Sequence, residues 1–149
     1  MAYGIGIYLF SEVEPLDFAG PYQVFTTAER MHRRIAPDAG PLFHVFTVAE
    51  YPSETAMHGG LRLLPDYGFA DHPKIDVLIV PGGVVDAELA KPAVIDWLAR
   101  QANAAQRVLS VCTGAFLLAA TGLLDGKNCA THWNSAEDFT RLFPKVNLQ

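Results

Sequence analysis

Cys112 stands at the junction of two apolar runs, VLSV before it and, beyond Thr113-Gly114, AFLLAA. The first run has the composition of a strand and the second that of a buried helix, so the thiol falls where one turns into the other. Open α/β sheets gather ligands at the carboxyl ends of their strands, and a helix N-terminus lowers the pKa of a thiol set against it. A nucleophilic thiolate is the chemistry such a position offers. The residue fits equally as a small buried hydrophobe, the usual fate of free cysteine. Asp17 follows the first strand by a few residues, in the loop before Gly20-Pro21. It reaches the same sheet edge as Cys112 if the first and fourth strands are neighbours, and taken alone it is an ordinary turn or helix-start carboxylate. Gly82-Gly83 closes another strand, where glycine lets a backbone N–H approach a ligand or simply permits a tight turn. Convergence of all three at one edge favours a site. Cys129, inside a short strand with no such setting, reads as structural.

These residues need a scaffold that delivers them together. Gly4–Phe10 (GIGIYLF) reads as a central strand because it is nearly continuous in apolar residues. A helix with Pro21 in its first turn follows, apolar at Tyr22, Val24, Phe25, Ala28 and Met31. Residues 43–48 (FHVFTV) predict the next strand, and 54–57 with 61–64 a small hairpin around His58-Gly59-Gly60. Residues 75–80 (IDVLIV) predict a third core strand, 92–105 a helix buried through Val94, Ile95, Trp97, Leu98 and Ala102, and 107–111 a fourth, buried strand. Ala115–Ala120 is apolar on every side and must be interior. A short strand at 129–131 and a helix at 134–142, capped by Asn134, complete the reading. Strands alternating with helices predict a doubly wound α/β domain: a mostly parallel sheet with helices on both faces, a flavodoxin-like three-layer sandwich.

Composition narrows the function classes. The chain has 149 residues, one domain's worth, with half of them hydrophobic and 18% charged. Against the roughly 25% charged of an average chain this demands a large core and excludes general disorder. A net charge of −5 is no footprint of a nucleic-acid binder. Residues 108–124 carry no charge but are short and broken by Ser110, Thr113, Gly114, Thr121 and Gly122, so no membrane span is expected. Two cysteines make no disulfide framework and no leader pattern opens the chain, so a reducing, cytoplasmic setting is expected.

Several apparent motifs fail. Residues 122–127 (GLLDGK) have one residue too few between the glycines for a phosphate loop, and Asn128 stands where a Ser or Thr should bind magnesium. Gly4-Ile-Gly6 lies within a strand and lacks the third glycine of a dinucleotide fingerprint. The five histidines and two cysteines have no zinc-ligand spacing. No metal or organic cofactor is expected.

Residues 15–25 (PLDFAGPYQVF), 76–83 (DVLIVPGG) and above all 108–133 (VLSVCTGAFLLAATGLLDGKNCATHW) resemble the ThiJ/PfpI superfamily, with its class I glutamine-amidotransferase-like fold. They are most similar to the branch that holds isonitrile hydratase and the N-terminal domains of AraC-type regulators. The resemblance runs through nearly the whole chain in order. It implies a nucleophile elbow at Cys112, Asp17 as its carboxyl partner, and an anion pocket from the N–H groups of Gly83 and Thr113 beside Gly82, with the Thr113 hydroxyl available. His132 becomes a pocket residue in the second layer. Thr113, where protease-like members carry histidine, argues against a peptidase, and no downstream His–Glu pair supports glutaminase activity.

The resemblance thus implies an isonitrile hydratase-like enzyme acting on a small molecule, with water in the second step assisted by Asp17 or Thr113. Two alternatives accompany it: a non-catalytic small-molecule-sensing domain of an AraC-type regulator, and a cysteine-dependent glyoxalase or oxidative-stress protein. Substrate choice is expected around Tyr22, Val84, Val85, Phe116 and Trp133. Homodimers formed partly near the first helix, and further strands and a final helix beyond residue 149, are also implied.

Overall fold

The computed structural model describes residues 1–149. Four parallel strands form the central sheet: β1 (Tyr3–Tyr8), β2 (Phe43–Val48), β5 (Val77–Val80) and β6 (Arg107–Ser110), in the order β2-β1-β5-β6. Two short strands, β3 (Thr55–Ala56) and β4 (Arg62–Leu63), make the antiparallel hairpin predicted around His58-Gly59-Gly60. The helices are α1 (Pro15–Ile35), α2 (Asp86–Leu89), α3 (Pro92–Ala104), α4 (Gly114–Ala120) and α5 (Ala136–Leu142). A last parallel pair joins β7 (Asn128–Cys129) to β8 (Asn147–Leu148).

Register assigns the two faces. Tyr3, Ile5 and Ile7 of β1 lie beside Phe43, Val45 and Thr47 of β2, and α1 covers this side, with Phe25 edge-on to Phe43 at 5.2 Å. The alternate residues point the other way, where Tyr8 meets Trp97 of α3 at 5.7 Å. Helices therefore cover both faces, as the alternation of elements predicts. Tyr8, Ile5, Ile7, Leu78 and Trp97 are buried in one continuous core. Under it lies a polar contact that the sequence did not announce. The Tyr8 hydroxyl donates to Glu88 of α2, and Lys91 Nζ donates to the same carboxylate at 2.7 Å. Glu88 is almost wholly buried, so its charge is carried by these two partners.

Several expectations need correction. The first helix starts at Pro15 and runs through Pro21, which therefore lies inside it. Pro15 already occupies the first helical position, where a missing N–H does no harm, and Asp17 supplies the acidic first turn. Pro21 forfeits only the bond to the Asp17 carbonyl. The first and fourth strands are not neighbours; β5 lies between them. Strand β6 is the sheet edge and is not buried, for Val108 and Leu109 are exposed with a neighbour on one side only. Asn134 caps nothing: its N–H is itself accepted by the side chain of His132 at 3.3 Å. Helix α2 had no periodic signal because it is one turn long.

Gly114 shows how tightly the cysteine turn is built. A Cβ there would lie 2.1 Å from the Val80 carbonyl oxygen and 2.8 Å from that of Pro81, both main-chain atoms with no room to retreat. Gly114→Ala is therefore expected to destabilise the domain by about 3 kcal/mol, read as a fall in urea midpoint at constant slope. An unchanged midpoint would show that β5 and α4 can separate freely.

Candidate active site

Main chain positions the cysteine before any side chain does. Val111 N–H donates to Val80 O at 3.0 Å and Gly114 N–H to Val111 O at 2.9 Å, so β6 bends into α4 within three residues. Cys112 at their centre takes φ of 54°, a left-handed conformation that residues with a Cβ rarely adopt. The elbow implied by the resemblance is thus present as geometry. Thr131 Oγ1 donates to the Cys112 carbonyl at 3.1 Å and braces it from the segment after β7; nothing in the sequence marked that threonine.

Asp17 reaches the turn across β5. It sits in the first turn of α1, buried, with Oδ2 accepting the Gly82 N–H at 3.1 Å. Burial raises its pKa, the Gly82 N–H opposes that rise, Glu14 adds to it, and the nearby Cys112 thiol and His132 lower it again. The thiol is likewise pushed up, first by burial and then by the Asp17 charge, while the Thr113 N–H pulls it down. This corrects the expected depressed thiol. α4 has only seven residues, and a carboxylate beside the sulfur disfavours a second negative charge. The Asp17 charge therefore works against ionisation of the thiol.

The expected anion pocket is also narrower than implied. Gly83 N–H donates to Thr113 Oγ1 at 2.9 Å, and that hydroxyl donates back to Gly83 O at 2.8 Å. Gly82 N–H is engaged by Asp17. Of the backbone donors named from the sequence, only the Thr113 N–H is left without a partner in the chain, and it favours the thiolate. Gly83 has φ of 144°, and a Cβ would lie 2.2 Å from Glu12 O, so its role is to let the loop after β1 close against the loop after β5.

A cavity of about 230 Å³ opens over the cysteine, lined by Glu14, His58, Gly83, Val84, Cys112, Thr113 and His132. Val84, expected near the substrate, lines it, and so does His132, which was expected one layer behind. Tyr22 lines a separate cavity with Phe18 and Leu63, Val85 and Phe116 line an adjoining one, and Trp133 is exposed. Sequence reasoning missed His58 and Glu14, since a histidine in a hairpin turn has no spacing relation to a cysteine more than fifty residues on. No three His, Cys, Asp or Glu side chains are grouped to hold a metal ion, and no helix is long and apolar enough to cross a membrane.

A parallel sheet covered on both faces, with a cysteine held left-handed between an edge strand and a buried helix, defines the elbow type of α/β protein. Within that class, residues 4–143 match the DJ-1/PfpI family, and the chain belongs to it. It is 38% identical over 134 residues to isonitrile hydratase of Pseudomonas putida, covering 89% of this chain and 54% of that protein. It is also 38% identical over 89 residues to the HTH-type transcriptional regulator GbdR of Pseudomonas aeruginosa, covering 60% of this chain and 24% of the regulator. The chain thus spans about half of the first relative and a quarter of the second. Among solved structures, a ThiJ/PfpI family protein from Pseudomonas syringae superimposes with a TM-score of 0.81 at 24% identity, over 99% of this chain and 57% of that one.

Proposed function

We propose that the protein is a cysteine-dependent hydratase that converts an isonitrile to an N-substituted formamide. The observation that carries this reading is Cys112, held left-handed in an open cavity, with the Asp17 carboxylate buried behind the turn on the Gly82 N–H. Identity to isonitrile hydratase over most of the chain supports it. In the first step Asp17 takes the thiol proton and passes it to the terminal carbon of the isonitrile as the Cys112 sulfur bonds to that carbon. The product is a thioimidate, Sγ–CH=N–R, and the carboxylate is restored. Water then adds to the carbon, the carbon–sulfur bond breaks and the formamide leaves. The Thr113 N–H steadies charge on the sulfur throughout.

The test is incubation with a panel of alkyl isonitriles and with methylglyoxal, followed by proton NMR and intact mass spectrometry. The expected result is formamide formation with a transient adduct on Cys112. A second reading, a ligand-sensing domain, is favoured by the stretch shared with GbdR; it predicts a raised melting temperature with an amide or amine and no product. Lactate from methylglyoxal would instead support a glyoxalase. The same proposal includes a cytoplasmic homodimer. Leu16, Val24, Met31 and Ile35, exposed along one side of α1, offer the second copy an apolar stripe.

A further inference from the structure

We propose that His58, oriented by Glu12, is the general base that activates water in the second half of the reaction. This rests on the hydratase reading. The thioimidate is released only when water attacks its carbon, and the groups first considered for that task are already committed. Thr113 Oγ1 is closed in its reciprocal pair with the Gly83 backbone. Asp17 lies buried under the turn, held by Gly82 and facing the sulfur that it must reprotonate.

His58 lines the same cavity as Cys112. Its Nδ1 lies 3.0 Å from Glu12 Oε2, which fixes the proton on Nδ1 and leaves Nε2, free of any hydrogen bond within the chain, as the basic nitrogen. The arrangement is built by main chain. Glu12 N–H donates to Ala56 O at 2.9 Å, His58 N–H to Val13 O at 3.0 Å and Val84 N–H to Glu12 O at 3.1 Å. These bonds stitch the hairpin, the loop after β1 and the loop after β5 together, and they hold Glu12 at φ of 68°. Left-handed backbone in a glutamate costs roughly 1 kcal/mol or more, which an incidental surface pair would not repay.

The charged and titratable groups around His58 are Glu12 and Glu14 from the loop after β1, Cys112 at the turn, and His132 beyond β7. Arg62 of the hairpin is taken by Glu54 at 3.2 Å. Glu12 and, more weakly, Glu14 raise the imidazole pKa, which suits a base that must hold a proton briefly. His132 Nδ1 accepts the Asn134 N–H and has no carboxylate hydrogen-bonded to its ring, so it lacks this support.

The step balances as follows. Neutral His58 takes one proton from water as the oxygen bonds to the thioimidate carbon, and the imidazolium returns it to the adduct nitrogen. The carbon–sulfur bond breaks with its electron pair on sulfur, and the hydroxyl proton passes through Asp17 to that sulfur as the formamide carbonyl forms. Cys112 is left as the free thiol.

The experiment compares His58→Gln and Glu12→Gln with the wild type on one alkyl isonitrile. His58→Gln is expected to lower kcat about 100-fold, to accumulate the Cys112 adduct by mass spectrometry, to lose the acid-side inflection of kcat, and to keep the wild-type rate of Cys112 alkylation by iodoacetamide. Glu12→Gln is expected to move that inflection to lower pH. A His58→Gln enzyme that turns over at the wild-type rate, or is slow without adduct, overturns the role of His58 alone. A wild type that forms neither adduct nor formamide overturns the hydratase reading and this role with it.

Discussion

Cys112→Ala is expected to abolish turnover of an alkyl isonitrile, with kcat/KM falling by about 10⁴-fold or more, which corresponds to about 5 kcal/mol of lost transition-state stabilisation. The reaction needs a bond to carbon that no other side chain in the cavity can make, since Glu14, His58, Thr113 and His132 offer no comparable nucleophile. The fold should be untouched. The turn is held by Val80, Val111, Gly114 and Thr131 acting on main-chain atoms, and alanine meets the same backbone strain at φ of 54° that cysteine does. The variant should therefore melt with the wild type in calorimetry while producing no formamide. A variant that still hydrates the isonitrile would remove covalent catalysis from consideration.

Asp17→Asn separates reactivity from catalysis. The nearby Asp17 carboxylate holds the Cys112 pKa up, so removing its charge lowers it. At a fixed pH near neutrality Cys112 should then be alkylated faster by iodoacetamide than in the wild type. Turnover should move the other way, by about 100-fold, because the group proposed to carry the proton from sulfur to carbon is gone. Stability supplies an independent check. Burial raises the folded pKa of Asp17 above its unfolded value, so the native state keeps this proton longer than the unfolded chain does. Its contribution to stability is whole below the ordinary aspartate range and is lost as pH rises from there through the folded pKa. Asparagine abolishes that slope, and urea midpoints taken across the window would show it. Slower alkylation in Asp17→Asn would mean that the carboxylate activates the thiol instead of restraining it.

How far the sequence reads depends on the range of each signal. The apolar run at 77–80 and the all-apolar 115–120 segment located β5 and α4 well, since burial on all sides leaves no other pattern. Cys112 was legible for the same reason, lying at the boundary of two such runs. Strand order was not, because β6 is as apolar in sequence as a central strand although it lies at the edge. Pro21 misled over the start of α1 because a proline in a second turn leaves the same trace as one in a first. The His58–Glu12 pair and the reciprocal Thr113–Gly83 bonds join residues 46 and 30 positions apart, and contacts between loops carry no periodicity.

The brace on the cysteine turn has a consequence for how such a protein can change over generations. Every bond that shapes the turn ends on a carbonyl, an amide or a threonine hydroxyl, and none ends on sulfur. The receptor and the reagent are therefore inherited separately: a single replacement at position 112 removes the reagent and leaves the receptor standing. For the hydratase proposed above, recognition without turnover is one substitution away, and the reverse path is as short for any descendant whose turn still tolerates a left-handed residue.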